Sequence, residues 1–451
     1  MVIKKIYLEN FRNYEKQEIN LNENINVFYG NNAQGKTNIL EALYYSALGR
    51  SFRTYKDSEL IRFGKDSSKI DILYEKNNRE NEIEIVLNKS EKKIVKINGI
   101  KINKSSELIG NLNIVIFSPD DILILKQSPS LRRKFLDILI SQLKPNYVHV
   151  LSEYNKVLEQ RNALLKSKNV DTIDIWNEQL ADLNEKIFNY RKYYIEKIQE
   201  KLLMIHPRVT NERENIKIVY KTKFEDREKF LNLLEKNLTF DLYKGYTSVG
   251  AHRDDFEIYI NDNMLNIYGS QGQHRTAILS LKIAELEILK EQIGENPVLL
   301  LDDVTSELDL ERIRLIFSKI QDYQVFITCT DVGVVMNHEC LTNNLKLYKI
   351  TNGSFEEWLY IKFSYGGVFL YVHIGNDEML KINDIVAIFD VDTLKESRNN
   401  LRILNMLKNQ SSDIKSVILV EKKGESQEYF SVISSNTLKR RIEQIGATRT
   451  F

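Results

Sequence analysis

The eight residues Gly30-Asn31-Asn32-Ala33-Gln34-Gly35-Lys36-Thr37 constrain this chain more than any other segment of it. They satisfy the pattern G-x-x-x-x-G-K-[ST]. They also stand between a short apolar run, Ile25-Asn26-Val27-Phe28-Tyr29, and an apolar helical pattern that begins Asn38-Ile39-Leu40-Glu41-Ala42-Leu43. A strand that turns through such a loop into a helix aims backbone N–H groups, and the positive end of the helix dipole, at a phosphate. Gly30 and Gly35 let the backbone curl, and all eight residues are candidate nucleotide contacts. Lys36 is expected to place its charge on the β/γ oxygens of ATP, and Thr37 to offer its hydroxyl to Mg²⁺.

Such a loop needs a carboxylate at the end of a neighbouring strand. Leu299-Leu300-Leu301-Asp302-Asp303 supplies one: a fully apolar strand that delivers two acids to its carboxyl edge. We assign Asp302 to Mg²⁺ through water, and Asp303 to the attacking water. Lys36 and Asp303 are then the expected catalytic pair of a slow ATPase. Standing alone, two acids in a strand-to-helix turn would be a solvated surface feature; the phosphate loop changes that weighting.

Ser270-Gln271-Gly272-Gln273 precedes a helix carrying Ala277, Leu281, Ala284 and Leu286, and it resembles the signature loop of ABC ATPases. Alone, it would read as a helix N-cap. In the order phosphate loop, signature, acidic pair and then Ser306-Glu307-Leu308-Asp309, which matches the D-loop, it implies that Ser270, Gly272 and Gln273 meet the γ-phosphate bound by an opposing subunit. About 230 residues separate loop from signature and no long heptad arm fills them, which argues against SMC proteins proper.

The remaining motifs resemble the RecF family over about residues 1–360. They are Asn10-Phe11-Arg12-Asn13-Tyr14, Gly49-Arg50-Ser51-Phe52-Arg53, Phe117-Ser118-Pro119-Asp120-Asp121, Arg132-Arg133-Lys134-Phe135-Leu136-Asp137, Gln160-Arg161-Asn162 and Gly250-Ala251-His252-Arg253-Asp254-Asp255. Ala251 departs from the family's usual Pro. Thr328-Cys329-Thr330-Asp331 stands where ABC heads carry a switch histidine, which favours slow turnover. The resemblance implies that Arg12 and Asn13 sit near the nucleotide. It also implies an α/β ABC-type P-loop ATPase head with an inserted helical lobe. The expected divisions are 1–130 (first part of lobe I), 131–245 (helical lobe II), 246–362 (lobe I continued) and 363–451 (a small β-rich C-terminal domain). It further implies an ATP-dependent homodimer that binds single-stranded, duplex or junction DNA in recombinational repair and replication restart. Partners would be recombination mediators that help load recombinase, and the protein would be needed for SOS induction.

Residue patterns outside these motifs agree with that layout. Leu180, Leu183, Ile187, Tyr190, Tyr194, Ile198 and Leu202 fall three and four apart, as do Tyr147, Leu151, Tyr154 and Leu158, so a helical hairpin is expected within 130–206. Asn98-Gly99 marks a hairpin turn. The chain has 64 Lys+Arg against 63 Asp+Glu, so any DNA site must be a local patch. Arg50, Arg53, Arg132, Arg133 and Lys134 are the candidates, weighed against a solvated charged surface. His252 and Arg253 read as structural or nucleotide-proximal. Cys329 and Cys340 make no metal-ligand spacing. No run is long and apolar enough for a membrane span, and no apolar signal core opens the chain, so a cytoplasmic protein is expected. Residues 368–445 resemble the RemA/RemB (YaaB) group through Tyr371-Val372-His373-Ile374-Gly375 and Ser434-Ser435-Asn436-Thr437-Leu438-Lys439-Arg440-Arg441. Two alternatives stay open: a coupling ATPase of an ABC transporter, and a nucleotide-sensing transcriptional regulator acting through the C-terminal domain.

Overall fold

The computed structural model describes residues 1–168, 170–303, 320–330, 335, 345–358, 371–375, 378–391, 413–422 and 425–447. The D-loop residues Ser306–Asp309, together with Asp331 and Cys340, lie outside that set. The chain divides into two compact units, Met1–Lys362 and Phe363–Phe451.

In the first unit an antiparallel sheet is built from β1 (Val2–Phe11), β2 (Tyr14–Asn20), β4 (Ser67–Lys76), β5 (Arg79–Asn88), β6 (Ile94–Ile97) and β7 (Ile100–Ile102), in the order β2-β1-β4-β5-β6-β7. Its alternating residues bury one face: Ile70, Ile72 and Tyr74 of β4 lie beside Ile83, Ile85 and Leu87 of β5. Asn98 and Gly99 both take positive φ, at 51° and 77°, as a two-residue turn between β6 and β7 requires.

The second sheet carries the chemistry. It comprises β3 (Ile25–Tyr29), β8 (Ile114–Phe117), β12 (Val298–Asp302), β13 (Val325–Cys329), β14 (Leu345–Thr351) and β15 (Ser354–Trp358), in the order β15-β14-β3-β13-β12-β8. Every pairing from β14 to β8 is parallel, and only β15 runs antiparallel. β3, β8, β12 and β13 are near-continuous apolar runs because both faces are covered. Val27, Val115, Leu299, Leu301 and Ile327 enter one core. Phe28, Ile116, Leu300, Phe326 and Tyr348 enter the other, with α1 (Lys36–Leu48) and the antiparallel sheet.

The first of those cores runs on into a helical region: α2 (Pro129–Leu143), α3 (Pro145–Ser167), α4 (Ile173–Thr210), α5 (Arg227–Lys244) and α6 (Gln271–Ile293). A small sheet of β9 (Ile216–Lys221), β10 (Asp255–Ile260) and β11 (Asn263–Met264) joins it, in the order β11-β10-β9. α3 and α4 form a hairpin. Leu180, Ile187, Tyr194, Ile198 and Leu202 are buried, while Leu183 and Tyr190 are partly buried. Among the described residues, no helix is long and apolar enough to cross a membrane.

The second unit contains the hairpin β16 (Tyr371–Gly375) and β17 (Glu378–Lys381). It also has an antiparallel sheet of β18 (Ile385–Asp390), β19 (Ser416–Lys422) and β20 (Glu425–Ser431), and the helix α7 (Ser435–Ala447). Val372, Ile374, Leu380, Ile418, Val420 and Leu438 are its core.

Candidate nucleotide site

β3 runs out at Tyr29, and the loop that follows reaches α1 through positive-φ backbone at Gly30 (151°), Ala33 (64°) and Gly35 (109°). A side chain at Gly30 would drive its Cβ to 2.5 Å from the Ile350 carbonyl oxygen, so the close approach of β14 demands glycine there. Lys36 opens α1 and curls back over the loop, its Nζ donating to the carbonyls of Gly30 (2.7 Å) and Asn31 (2.9 Å). Burial lowers the Lys36 pKa, and the nearby Asp303 and Asp302 oppose that shift.

The parallel register brings the acids to this loop. Phe28 of β3 is level with Thr328 of β13, which is level with Asp302 of β12. Asp302 Oδ1 accepts hydrogen bonds from the hydroxyls of Thr37 and Thr328, each at 2.8 Å. Burial raises the Asp302 pKa, and the hydrogen bonds from Thr328 and Thr37 work the other way. Asp303 follows at φ 47°, and its N–H donates to Thr328 Oγ1 (2.9 Å). Thr328 therefore orients both acids. The sequence assigns Thr328 no role of its own beyond its place in Thr328-Cys329-Thr330-Asp331, the segment without a switch histidine.

Three further segments hold the loop. The Asn13 amide donates to the Gln34 carbonyl (2.7 Å) and accepts from Asn38 Nδ2 (2.8 Å), while Tyr14 OH donates to the Gly35 carbonyl (2.7 Å). From the β14–β15 turn, Asn352 N–H donates to Gln34 Oε1 (2.6 Å) and Gly353 N–H to the Gln34 carbonyl (3.2 Å). Arg12 lies at φ 52° and directs Nε and NH2 onto both oxygens of Glu41, at 2.8 and 2.7 Å, and NH1 onto the Glu59 carbonyl. Glu41 is fully buried on α1 and also accepts from Ser51 Oγ and Arg53 NH1. This carboxylate hub is absent from the sequence reading. A charged residue within an apolar helix, four residues past Thr37, was the available signal.

The family described as RecF/RecN/SMC N terminal domain matches residues 2–354. The DNA replication and repair protein RecF of Clostridium tetani is 47% identical over 364 residues, covering 78% of this chain and 99% of that protein. The chain belongs to the RecF family. The RecF of Clostridium novyi is 46% identical over 360 residues, with coverage of 78% and 99%. A solved structure described as the recombination mediator protein RecF with ATP, in the RecFOR pathway, aligns with a TM-score of 0.73 and 40% identity. It covers 79% of this chain and 97% of the other. The fold is thus the RecF-type ATPase head, with mixed α/β sheets and helices.

Other RecF-like residues fall into two groups. The structure gathers the phosphate loop, Asn13, Asp302 and Asp303 at one sheet edge, with Arg12 braced on Glu41 beside them. Ser270, Gly272 and Gln273 stand apart from these contacts, at the start of α6. Ser270 Oγ accepts from Gln273 N–H, the Gln273 side chain accepts from Ser270 N–H in return, and Gln273 Nε2 donates to Glu214. Ser270 and Gly272 are exposed.

The basic cluster needs correcting. Arg132 is buried and pairs through Nε and NH2 with both oxygens of Asp255, while NH1 donates to the Ile124 and Gln127 carbonyls. A guanidinium so committed is not a phosphate contact. Arg53 is likewise turned onto Asn38 and Glu41. His252 is structural, lying between Tyr154 OH (2.7 Å) and the Thr247 carbonyl (3.0 Å), and burial lowers its pKa to about 4. Arg161, from Gln160-Arg161-Asn162, is a buried tie from α3 to Asn177, Asp241 and Thr247.

Proposed function

We propose that this protein is a slow, ATP-switched DNA-binding factor of recombinational repair and replication restart, closing on DNA as a homodimer and working with recombination mediators. The observation that carries this reading is the 2.8 Å contact between the Thr37 hydroxyl, next in the chain to Lys36, and the Asp302 carboxylate at the carboxyl edge of a parallel sheet. One hydroxyl and one carboxylate are hard oxygen ligands of the kind Mg²⁺ accepts when phosphates and water complete its shell. Mg²⁺ bound there would neutralise charge on the β/γ-phosphates. Lys36 would leave the loop carbonyls for those phosphates, and Asp303, oriented through Thr328, would polarise the attacking water.

Dimerisation follows from the separation of the two halves of the site. Ser270 and Gly272 offer an exposed hydroxyl and a helix N-terminus away from the chain's own phosphate loop, which suits the γ-phosphate of a second protomer. The family relationship favours DNA repair over transporter coupling. The division into lobe I, helical lobe II and a C-terminal domain belongs to the same proposal, as does the likeness of residues 368–445 to the RemA/RemB group. In that unit Lys439 and Arg440 are exposed on α7 and offer an accessory basic patch.

The test is particle mass and DNA affinity, each measured with and without ATP and Mg²⁺ on the full chain. Both should rise with ATP. Log affinity should then fall linearly with log salt, at about 0.9 per duplex phosphate contacted. A mass and a DNA affinity that ignore ATP would reject the switch.

A further inference from the structure

A cavity of about 560 Å³ opens at the far end of α1 from the phosphate loop, between Leu48-Gly49-Arg50 and the helices α2 and α3. Thirteen helical residues, about 20 Å of rise, separate the two places, so a molecule in one does not occupy the other. The size is that of a small-molecule site.

Its lining is divided chemically. Arg50, just past the end of α1, and Arg133 and Lys134, neighbours on α2, line it. Val148, Leu151 and the buried Tyr154 of α3 also line it. The other charges of the cavity are already matched: Arg191 holds Asp137 with Nε and NH2 and donates to the Ala251 carbonyl with NH1, and His252 is neutral between its two partners.

The three cations are not matched in this way. Among the described residues no carboxylate forms an ion pair with Arg50 or Lys134. Lys134 lies over the ring of the exposed Tyr55, 5.3 Å from its centroid. Among the described residues Arg133 makes one hydrogen bond, from NH1 to the Asp254 carbonyl. The acids near it serve others: Asp255 takes Arg132, Asp137 takes Arg191, and Asp254 accepts from Tyr220. Burial and then Arg50 lower the Lys134 pKa, and burial and then Arg191 lower that of Arg133. Asp255, Asp137 and Asp254 act on Arg133 against that shift, whereas Arg50 and the half-buried Lys134 repel each other, and an anion entering the cavity relieves that repulsion.

We propose that this cavity binds a nucleoside monophosphate unit, its phosphate on Arg50, Arg133 and Lys134 and its base against the Val148–Leu151–Tyr154 wall. A bare phosphate would satisfy the cations but leave the apolar wall and most of the volume unfilled. A nucleoside phosphate matches both halves, since bases stack on aromatic and apolar side chains while the phosphate meets the cations. Two sources share this chemistry: a free nucleotide, and the terminal nucleotide of a phosphorylated DNA strand. The proposal is independent of the phosphate-loop reading, and Lys36→Met keeps the two apart.

The experiment is photolabelling of the full chain with an azido derivative of dAMP, followed by peptide mapping. Label is expected on the α3 segment around Val148–Asn155, to survive Lys36→Met, and to fall at least about tenfold in Arg50→Ala/Lys134→Ala. Lys134→Arg should retain it. Neither cation of the double variant has an ion-pair partner among the described residues, so its thermal midpoint should match the parent's, which separates lost binding from lost folding. Competing the label with free dAMP, and with thymidine oligomers bearing a 5′-phosphate or a 5′-hydroxyl, identifies the source. Competition by dAMP with preference for the phosphorylated strand supports a strand end, and competition by dAMP alone supports a free nucleotide. Label confined to the phosphate-loop peptide, label unchanged in the double variant, or competition by orthophosphate as strong as by dAMP would overturn the proposal.

Discussion

Replacing Glu41 by Gln isolates the contribution of one buried carboxylate to the phosphate loop's support. Glu41 accepts two bonds from Arg12 and one from Ser51, with Arg53 NH1 further off at 3.4 Å. The amide has nearly the same shape but only one acceptor oxygen, and its NH₂ must face a donor. At least one charge-assisted hydrogen bond is lost, worth about 1.5–3 kcal/mol. Stranding one member of a buried pair costs about 3–5 kcal/mol. The Arg12 side chain keeps 20% exposure, however, so water recovers part of that, and we expect about 2–3 kcal/mol in total. Both tryptophans, Trp176 and Trp358, lie in the first unit, so fluorescence-monitored urea unfolding reports on that unit. A double-mutant cycle with Arg12→Gln should give a coupling of at least about 1 kcal/mol. Nucleotide affinity should fall as well, because Arg12 and Asn13 are adjacent and Asn13 holds the loop at Gln34. Additivity within about 0.5 kcal/mol would show that Arg12 and Glu41 do not act as a unit.

Three other perturbations address separate parts of the argument. Ser270→Arg should leave ATP binding intact and abolish the ATP-dependent increase in mass seen by light scattering; persistence of that dimer would remove the signature from the interface. Lys36→Met should eliminate most nucleotide affinity, whereas Asp303→Asn should keep ATP bound and stall hydrolysis, so wild-type turnover in Asp303→Asn sinks the base assignment. The folded-state pKa of His252, lowered to about 4 by burial, lies below the usual value of about 6.5, so the unfolded chain binds the proton more readily. Its contribution to stability is therefore present above about pH 6.5 and declines as pH falls toward 4, by about 2 kcal/mol at about pH 5. His252→Gln should flatten that part of the urea-midpoint profile, and an unchanged profile would mean that the histidine is not held neutral.

Local pattern carried much of the fold. The strand–loop–helix flanking of Gly30–Thr37 is contiguous in sequence, and so are the spacing of Leu180 to Leu202 and the Asn98-Gly99 turn; each shows its periodicity or turn chemistry within a few residues. Strand order was not visible in the same way. That β13 lies between β3 and β12, and β14 on the other side of β3, depends on pairings across about 300 residues, which no local period encodes.

The same distinction decides how the site was read. Lys36, Thr37 and Asp302 stand out in the sequence through residue type and flanking, and the structure brings the Thr37 hydroxyl to 2.8 Å from the Asp302 carboxylate. Arg132 misled, because a run of Arg-Arg-Lys looks like a solvated patch until Asp255, 123 residues away, is seen to neutralise its first member. Charge in sequence is a count, whereas charge available to a ligand is what remains after the fold has paired the rest. Thr328 shows the converse. In sequence it is one of four residues, Thr328 to Asp331, that lack a switch histidine, and nothing local gives it a role. Placed level with Asp302 by the parallel register, its one oxygen donates to that carboxylate and accepts from the Asp303 N–H, so one neutral hydroxyl positions both acids. That arrangement supplies orientation through hydrogen bonds alone, which fits the slow ATP switch proposed above.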